Sequence, residues 1–279
     1  MRAAAFLKAS RLAPALLAAG LLSMGAVAAA ARPAAAQDAA VETFDRTVPL
    51  PAGGSFSLSN VNGAVEIEGW DRDAVRIIAR KSASLSASDL GRVGITVTPS
   101  GRSVSVVATY PEGGGLEVNV DFHVMVPARV VLASVTTVNG SVTVHDVSGA
   151  GEIATINGSI KLVHSAGLFS ARATNGNVFL ELLSVDGGLH AGAADRAALR
   201  RGISAQTVNG AVTVSLPQDA GAELEARTQN GDFASDLPVL AHTSAAGRLI
   251  RGRVNGGGVP LYLRTVNGSI RLRISRPLV

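Results

Sequence analysis

Residues 135–182 read VTTVNGSVTVHDVSGAGEIATINGSIKLVHSAGLFSARATNGNVFLEL, and one short phrase returns in them at a fixed interval. Asn139, Asn157 and Asn175 are each followed by glycine and stand 18 residues apart. The phrase recurs as TVNGAVTVSL from Thr207, TQNGDF from Thr228 and TVNGSIRLRI from Thr265, and an earlier copy, NVNGAVEIEG, begins at Asn60. Repetition at a short period belongs to stacked architectures, in which each unit buries its apolar face only against its neighbours.

Asn-Gly is the pair that best tolerates positive φ at two successive positions. The pairs Asn62-Gly63, Asn139-Gly140, Asn157-Gly158, Asn175-Gly176, Asn209-Gly210 and Asn267-Gly268 therefore predict tight corners between strands. After each corner the sequence alternates: Val142 and Val144, Ile160 and Leu162, Val178 and Leu180, Val212 and Val214, Ile270 and Leu272 share one face. Period two describes a half-buried strand. Thr137, Thr155, Thr207, Thr228 and Thr265 fall two residues before Asn, where a β-branched side chain suits a pleated surface. The position before that is exposed in character: Arg172, Gln206, Arg227, Arg264.

The expected class is all-β, a β-solenoid of stacked coils with Asn-Gly corners, capped by an irregular N-terminal β layer. Alternation alone also fits an antiparallel hairpin meander. A meander, however, gives no reason for Thr, Asn and Gly to return to one slot, whereas stacked coils place like on like and gain from side-chain ladders.

Over roughly Phe56 to Ile274 the chain resembles a family of bacterial adhesin-like proteins of unassigned function, similar to the heads of autotransporter-type adhesins. The likeness rests on the opening NVNGAVEIEGWDRDAVRI, the segment ending DFHVMVPARV and the later coils. It implies repeated Asn-Gly corners on a β-solenoid and offers no catalytic residues to carry over.

Residues 1–36 form a basic start (Arg2, Lys8, Arg11), an apolar run from Leu12 to Ala31 and a small-residue end, which predicts an export signal cut after Ala36. After cleavage no transmembrane anchor is expected. There is no cysteine for lipid attachment or disulfides, so burial and strand ladders must supply the stability. Losing Arg2, Lys8, Arg11 and Arg32 turns the formal charge of +4 into a balance of 21 basic against 21 acidic residues. A neutral mature chain argues against nucleic-acid binding.

The organisation read from sequence is a signal peptide at 1–36, an N-terminal β layer at 37–127 and a repeat solenoid at 128–279 that forms one continuous core with the preceding layer. Strands are expected at 48–59, 64–68, 75–79, 93–98, 104–109 and 116–126, with turn chemistry at Pro51, Pro99 and Pro111 and one helical turn at 86–92. Residues 193–201 predict a helix or loop inserted between coils, and 236–258 an irregular stretch. Loops projecting from a regular stack are where binding usually sits.

Chemistry is sparse. The five histidines form no H-x-x-x-H pair, no G-x-S-x-G phrase occurs, and the glycine clusters at 113–115 and 256–258 lack the lysine of a phosphate loop. His145 and Asp146 are adjacent, and alternation should send them to opposite faces. Asp71 and Asp73 beside Trp70 are the one local cluster that a sugar or calcium could use, with a polar turn as the plainer reading. No catalytic residue, cofactor or metal is expected.

The remaining signal is charge. After Asp236 there is no acidic residue, while Arg248, Arg251, Arg253, Arg264, Arg271, Arg273 and Arg276 follow. In SIRLRIS the alternation puts Arg271 and Arg273 on one outer stripe of the final coil. Such a stripe either protects a terminal edge strand or docks an anionic envelope polymer or acidic partner, with Arg264, Arg271, Arg273 and Arg276 as the candidates. The functional expectation is an exported, non-enzymatic, adhesin-like or scaffold protein, periplasmic or at the cell surface, whose partner is an envelope protein or glycan. The alternatives are a polysaccharide-acting enzyme on a β-helix groove and an accessory subunit of an envelope-stress or transport system.

Overall fold

The computed structural model describes residues 40–84, 86–111, 117–185, 201–243 and 249–275. The expected leader, residues 193–200 of the expected insertion and Arg276 lie outside the described residues.

Alternating sequence here builds two strand ladders, with strands numbered in chain order. The first runs β5 (Gly94–Ser100), β6 (Ser103–Thr109), β2 (Gly54–Ser59), β8 (Arg129–Asn139), β10 (Ser148–Asn157), the second half of β11 (Ile160–Asn175), β13 (Ile203–Gln206), β19 (Val259–Arg264), β15 (Ala222–Arg227), β18 (Leu249–Val254) and β17 (Val239–Thr243). The second runs β1 (Ala40–Pro49), β4 (Ala74–Ala83), β7 (Val118–Pro127), β3 (Val65–Trp70), β9 (Val142–His145), the first half of β11, β12 (Val178–Ser184), β14 (Val212–Leu216), β20 (Ile270–Ile274) and β16 (Phe233–Ser235).

From β6 to β15, and from β7 to β16, every pairing is parallel. Parallel neighbours need a crossover between them, which a coil supplies and a hairpin cannot. The architecture is β-solenoid-like, and among the described residues antiparallel pairs occur only at the ends, β5 on β6, β1 and β4 beyond β7, β18 and β17 beyond β15.

The spatial order departs from the chain order at both ends. The coil β2–β3 stands between β6–β7 and β8–β9, and the coil β19–β20 stands between β13–β14 and β15–β16. In the segment before Pro127 the coil β2–β3 lies inside the stack, and one apolar core runs from Val48 to Leu272 among the described residues. Residues 239–243 and 249–254 form a hairpin where an irregular stretch was expected. The expected strand over 48–59 is two strands broken after Pro49, and the helical turn is a 3-10 turn at Ala87–Arg92 with the Ser86 hydroxyl accepting from the Ser88 amide.

The chain passes from the first ladder to the second at the Asn-Gly pairs. Six side-chain amide bonds link the asparagines in the spatial order Asn62, Asn139, Asn157, Asn175, Asn209, Asn267, Asn230, each Nδ2 donating to the Oδ1 of the preceding one at 2.8–2.9 Å. None of these asparagines has positive φ, and Gly140 and Gly158 also lie outside the left-handed region. The two-position positive-φ turn expected from Asn-Gly is thus absent. Glycine is needed for proximity instead: a Cβ on Gly158 would stand 2.0 Å from the carbonyl oxygen of Gly140 in the neighbouring coil.

The threonine slot has an equally specific cause. Thr137, Thr155, Thr207, Thr228 and Thr265 are buried, and each hydroxyl donates to the corner-glycine carbonyl of an adjacent coil, Gly63, Gly140, Gly176, Gly268 and Gly210 respectively. A hydroxyl buried without a partner would be costly, so the methyl packs inward while the oxygen is satisfied between coils. Ala173 and Asn60 occupy the same slot in the other two coils. Asn60 donates to the carbonyls of Asn62, Gly63 and Val120, while its buried Oδ1 has no partner.

Candidate functional site

With the core closed and the corners occupied by ladders, chemistry is left to the outward residues of each strand. On β20 the inward set is Ile270 and Leu272 and the outward set Arg271 and Arg273, as alternation requires. The strand is not at the edge: β14 pairs with one side of it and β16 with the other. Protection of a terminal edge therefore does not account for the two arginines, because β16 carries that edge.

Arg271 and Arg273 open onto a surface groove of about 810 Å³. Phe179 and Glu181 come from β12, Ser215 from β14, and Ala234 and Asp236 from β16 and its end. Register puts Thr213 beside Arg271 and Ser215 beside Arg273. Among the described residues neither guanidinium has a salt bridge, whereas Arg251 and Arg253 are paired with Glu225 and Glu223 at 3.1 and 3.6 Å. Glu181 has only a distant contact, 4.0 Å from His164 Nε2. The groove thus offers two fork-shaped donors, two carboxylate acceptors, a hydroxyl and a half-buried aromatic ring. Guanidinium binds carboxylate or phosphate bidentately, and the aromatic face suits the apolar side of a sugar ring.

The candidate arginines are not gathered in one place. Arg264 lies on β19, in the first ladder, and so faces away from the β20 groove, while Arg276 lies outside the described residues.

A second polar cluster spans β7, β3 and β9. Glu66 Oε2 lies 3.3 Å from His123 Nδ1 and its Oε1 3.5 Å from His145 Nε2, with Glu68 3.7 Å from His123. His145 and Asp146 do not diverge as alternation predicts: Asp146 sits just past the strand end at φ 59°, which turns its carboxylate back to within 3.0 Å of His145 Nδ1. Among the described residues, no group of three or more His, Cys, Asp or Glu is arranged to hold a metal ion.

Near Trp70 the turn reading prevails. Asp73 Oδ1 accepts from the Ala52 amide at 2.8 Å, the indole Nε1 donates to the Ala74 carbonyl at 2.8 Å, and Arg72 covers the ring at 5.1 Å. These contacts close a turn, and Asp73 is committed to it. Among the described residues, no helix is long and apolar enough to cross a membrane.

Sequence reasoning missed Phe179, Glu181 and Asp236 as neighbours of Arg271 and Arg273. Their proximity depends on β20 docking between β14 and β16, against chain order, and no spacing in the sequence encodes that.

A family model described as Toastrack DUF4097 matches residues 54–273. Among solved structures, the chain is similar to a candidate cell adhesion protein from Clostridium sporogenes at 10% identity and a TM-score of 0.47, covering 83% of this chain and 99% of that one. It is also similar to a candidate adhesin from Bacteroides fragilis, at 10% identity and a TM-score of 0.38 over 83% and 97% of the two chains. A candidate lipid binding protein from Parabacteroides distasonis is more remote, at 6% identity and a TM-score of 0.23 over 83% and 96%. No curated protein matches the chain. The family match runs from the start of β2 to within a residue of the end of β20, taking in both interleaved coils, and the chain belongs to the Toastrack DUF4097 family.

Proposed function

We propose that this protein is an exported, non-catalytic, adhesin-like binding module of the cell envelope, which holds an acidic glycan through Arg271 and Arg273. The observation that carries the reading is the place of β20. Two arginines on an interior strand have no edge to protect, and among the described residues neither is in a salt bridge although Glu181 and Asp236 line the same groove, which supports a ligand that engages both guanidiniums. The carboxylates of Glu181 and Asp236 accept from sugar hydroxyls, and Phe179 supplies a flat apolar wall. Stacked coils with projecting loops suit a rigid display surface, and the leader supports export.

The test is binding of the mature protein to lipopolysaccharide at low and high salt, with Arg271→Glu/Arg273→Glu alongside. The parent binds with an affinity that falls with salt, and the folded double variant loses binding. Equal binding by a folded double variant defeats the proposal. Because Glu181 and Asp236 are the minimum pair of carboxylates that a glycoside-cleaving enzyme needs, the same samples are checked for chain shortening. Shortening by the parent that Asp236→Asn abolishes would move the protein into the enzyme class.

A further inference from the structure

On the opposite face, the outward side chains of the first ladder fall into a row that runs across the strands. Register places Arg172 on β11 beside Gln206 on β13, Gln206 beside Arg264 on β19, and Arg264 beside Arg227 on β15. Neighbouring strands stand about 4.8 Å apart, so three guanidiniums and one carboxamide project at a spacing close to one sugar unit of an extended chain. All three arginines are exposed, and among the described residues none has an ion pair.

Two comparisons within the molecule give this row its meaning. The same face carries Arg251 and Arg253 on β18, and there the fold supplies Glu225 and Glu223 directly opposite. Arg264 and Arg227, by contrast, are like charges on paired strands with no carboxylate between them, an arrangement that costs stability. An anionic occupant removes that cost.

We infer that the row Arg172–Gln206–Arg264–Arg227 is a second anion track, and that it holds a linear polyuronate-type glycan lying along the stack axis. The flanking rows favour a sugar chain over a nucleic acid. One side carries Ser170, Ser204 and the exposed Tyr262, bounded by Glu152 and Glu225, which are paired with Arg201 and Arg251, and the other the exposed Val208, so hydroxyls and an aromatic ring border the charges. A nucleic acid needs a broad basic footprint, and here the charge is one row wide. With the β20 groove on the other face, the track makes the protein two-sided, able to bridge two polymer chains.

The experiment uses the mature protein on immobilised polygalacturonate, with dextran as the uncharged control and poly-dT as the nucleic-acid arm. Arg271→Gln/Arg273→Gln isolates this face and retains salt-dependent binding to polygalacturonate. Adding Arg172→Gln/Arg227→Gln/Arg264→Gln lowers that binding by about tenfold or more with the thermal midpoint no lower than that of the double variant. Should the quintuple variant not fold, Arg264→Glu in the double background is read instead, with a loss of about fivefold expected. The track is overturned if the double variant does not bind, if the added changes leave its binding intact, or if poly-dT is bound as tightly and lost in the same variants. Failure of the Arg271/Arg273 groove appears separately, as a double variant indistinguishable from the parent.

Discussion

Gly158→Ala tests why the corners carry glycine. The added Cβ would lie 2.0 Å from the Gly140 oxygen and 2.4 Å from its carbon, and both are backbone atoms fixed by their own coil. Reaching ordinary contact requires the two coils to part by about 1.4 Å at the corner. Five hydrogen bonds cross that gap: Gly140 N to Asn157 O at 3.0 Å, Val142 N to Ser159 O at 2.9 Å, Ser159 N to Ser141 Oγ at 3.2 Å, Thr155 Oγ1 to Gly140 O at 2.8 Å and Asn157 Nδ2 to Asn139 Oδ1 at 2.8 Å. At about 1 kcal/mol net for each bond, with some loss of core packing, the cost is about 3–5 kcal/mol. For a folded unit of this size that lowers the thermal midpoint by roughly 6–20 °C. Gly91→Ala is the control, because a Cβ there meets nothing within 4 Å, and it should stay within about 0.5 kcal/mol of the parent. Urea denaturation of both variants decides the matter. A Gly158→Ala protein within 1 kcal/mol of the parent would refute the close-approach account, since φ at Gly158 gives no other reason for strain.

Ala173→Thr should stabilise the fold by about 1 kcal/mol, because the new hydroxyl reaches the Gly158 carbonyl as its counterparts do in the coils on either side; a lower urea midpoint would count against the slot. Ile160 pairs with Val142 and Val178 in the buried face, so Ile160→Asp should cost about 3–5 kcal/mol, and a thermal midpoint within a degree or two of the parent would contradict the register. The Arg76 guanidinium, hydrogen-bonded to Asp45, holds that carboxyl below its usual range. A depressed carboxylate contributes stability above its unfolded pKa and loses it as pH falls through the folded one. The small difference between parent and Asp45→Asn at neutral pH should therefore vanish in acid, and a difference that persists once the Asp45 carboxyl is protonated would exclude the ion pair as its cause.

The repeat made the middle of the fold legible. The 18-residue interval between Asn139, Asn157 and Asn175 is the coil length, and the alternation at Ile160 and Val178 is the observed inward face. The causes were harder to read than the pattern. Thr155 looked like a strand preference and is a hydrogen-bond donor between coils; Gly158 looked like a turn residue and is a spacer. Such causes involve neighbours distant in the chain, as with Thr265 and Gly210, 55 positions apart. Alternation identifies Arg271 and Arg273 as an outer pair, but it carries no information about which strands dock beside theirs, and so β20 reads as terminal in the sequence. His145 and Asp146 failed the alternation rule because the strand ends between them.

The interleaving of the end coils bears on how the chain comes to be folded at all. In an ordinary repeat array the last unit adds to a finished stack and can be trimmed away at modest cost. Here the last coil is a wedge: β15–β16 is made before β19–β20 along the chain, yet reaches its place only across it. A chain stopped before Val259 would not be a shorter stack; it would have β15 and β16 with no parallel neighbour and an open seam beside β13 and β14. Completion must wait for nearly the whole sequence, which keeps the C-terminal third open while it emerges from a ribosome. Once closed, the stack holds β19–β20 between β13–β14 on one side and β15–β16 on the other.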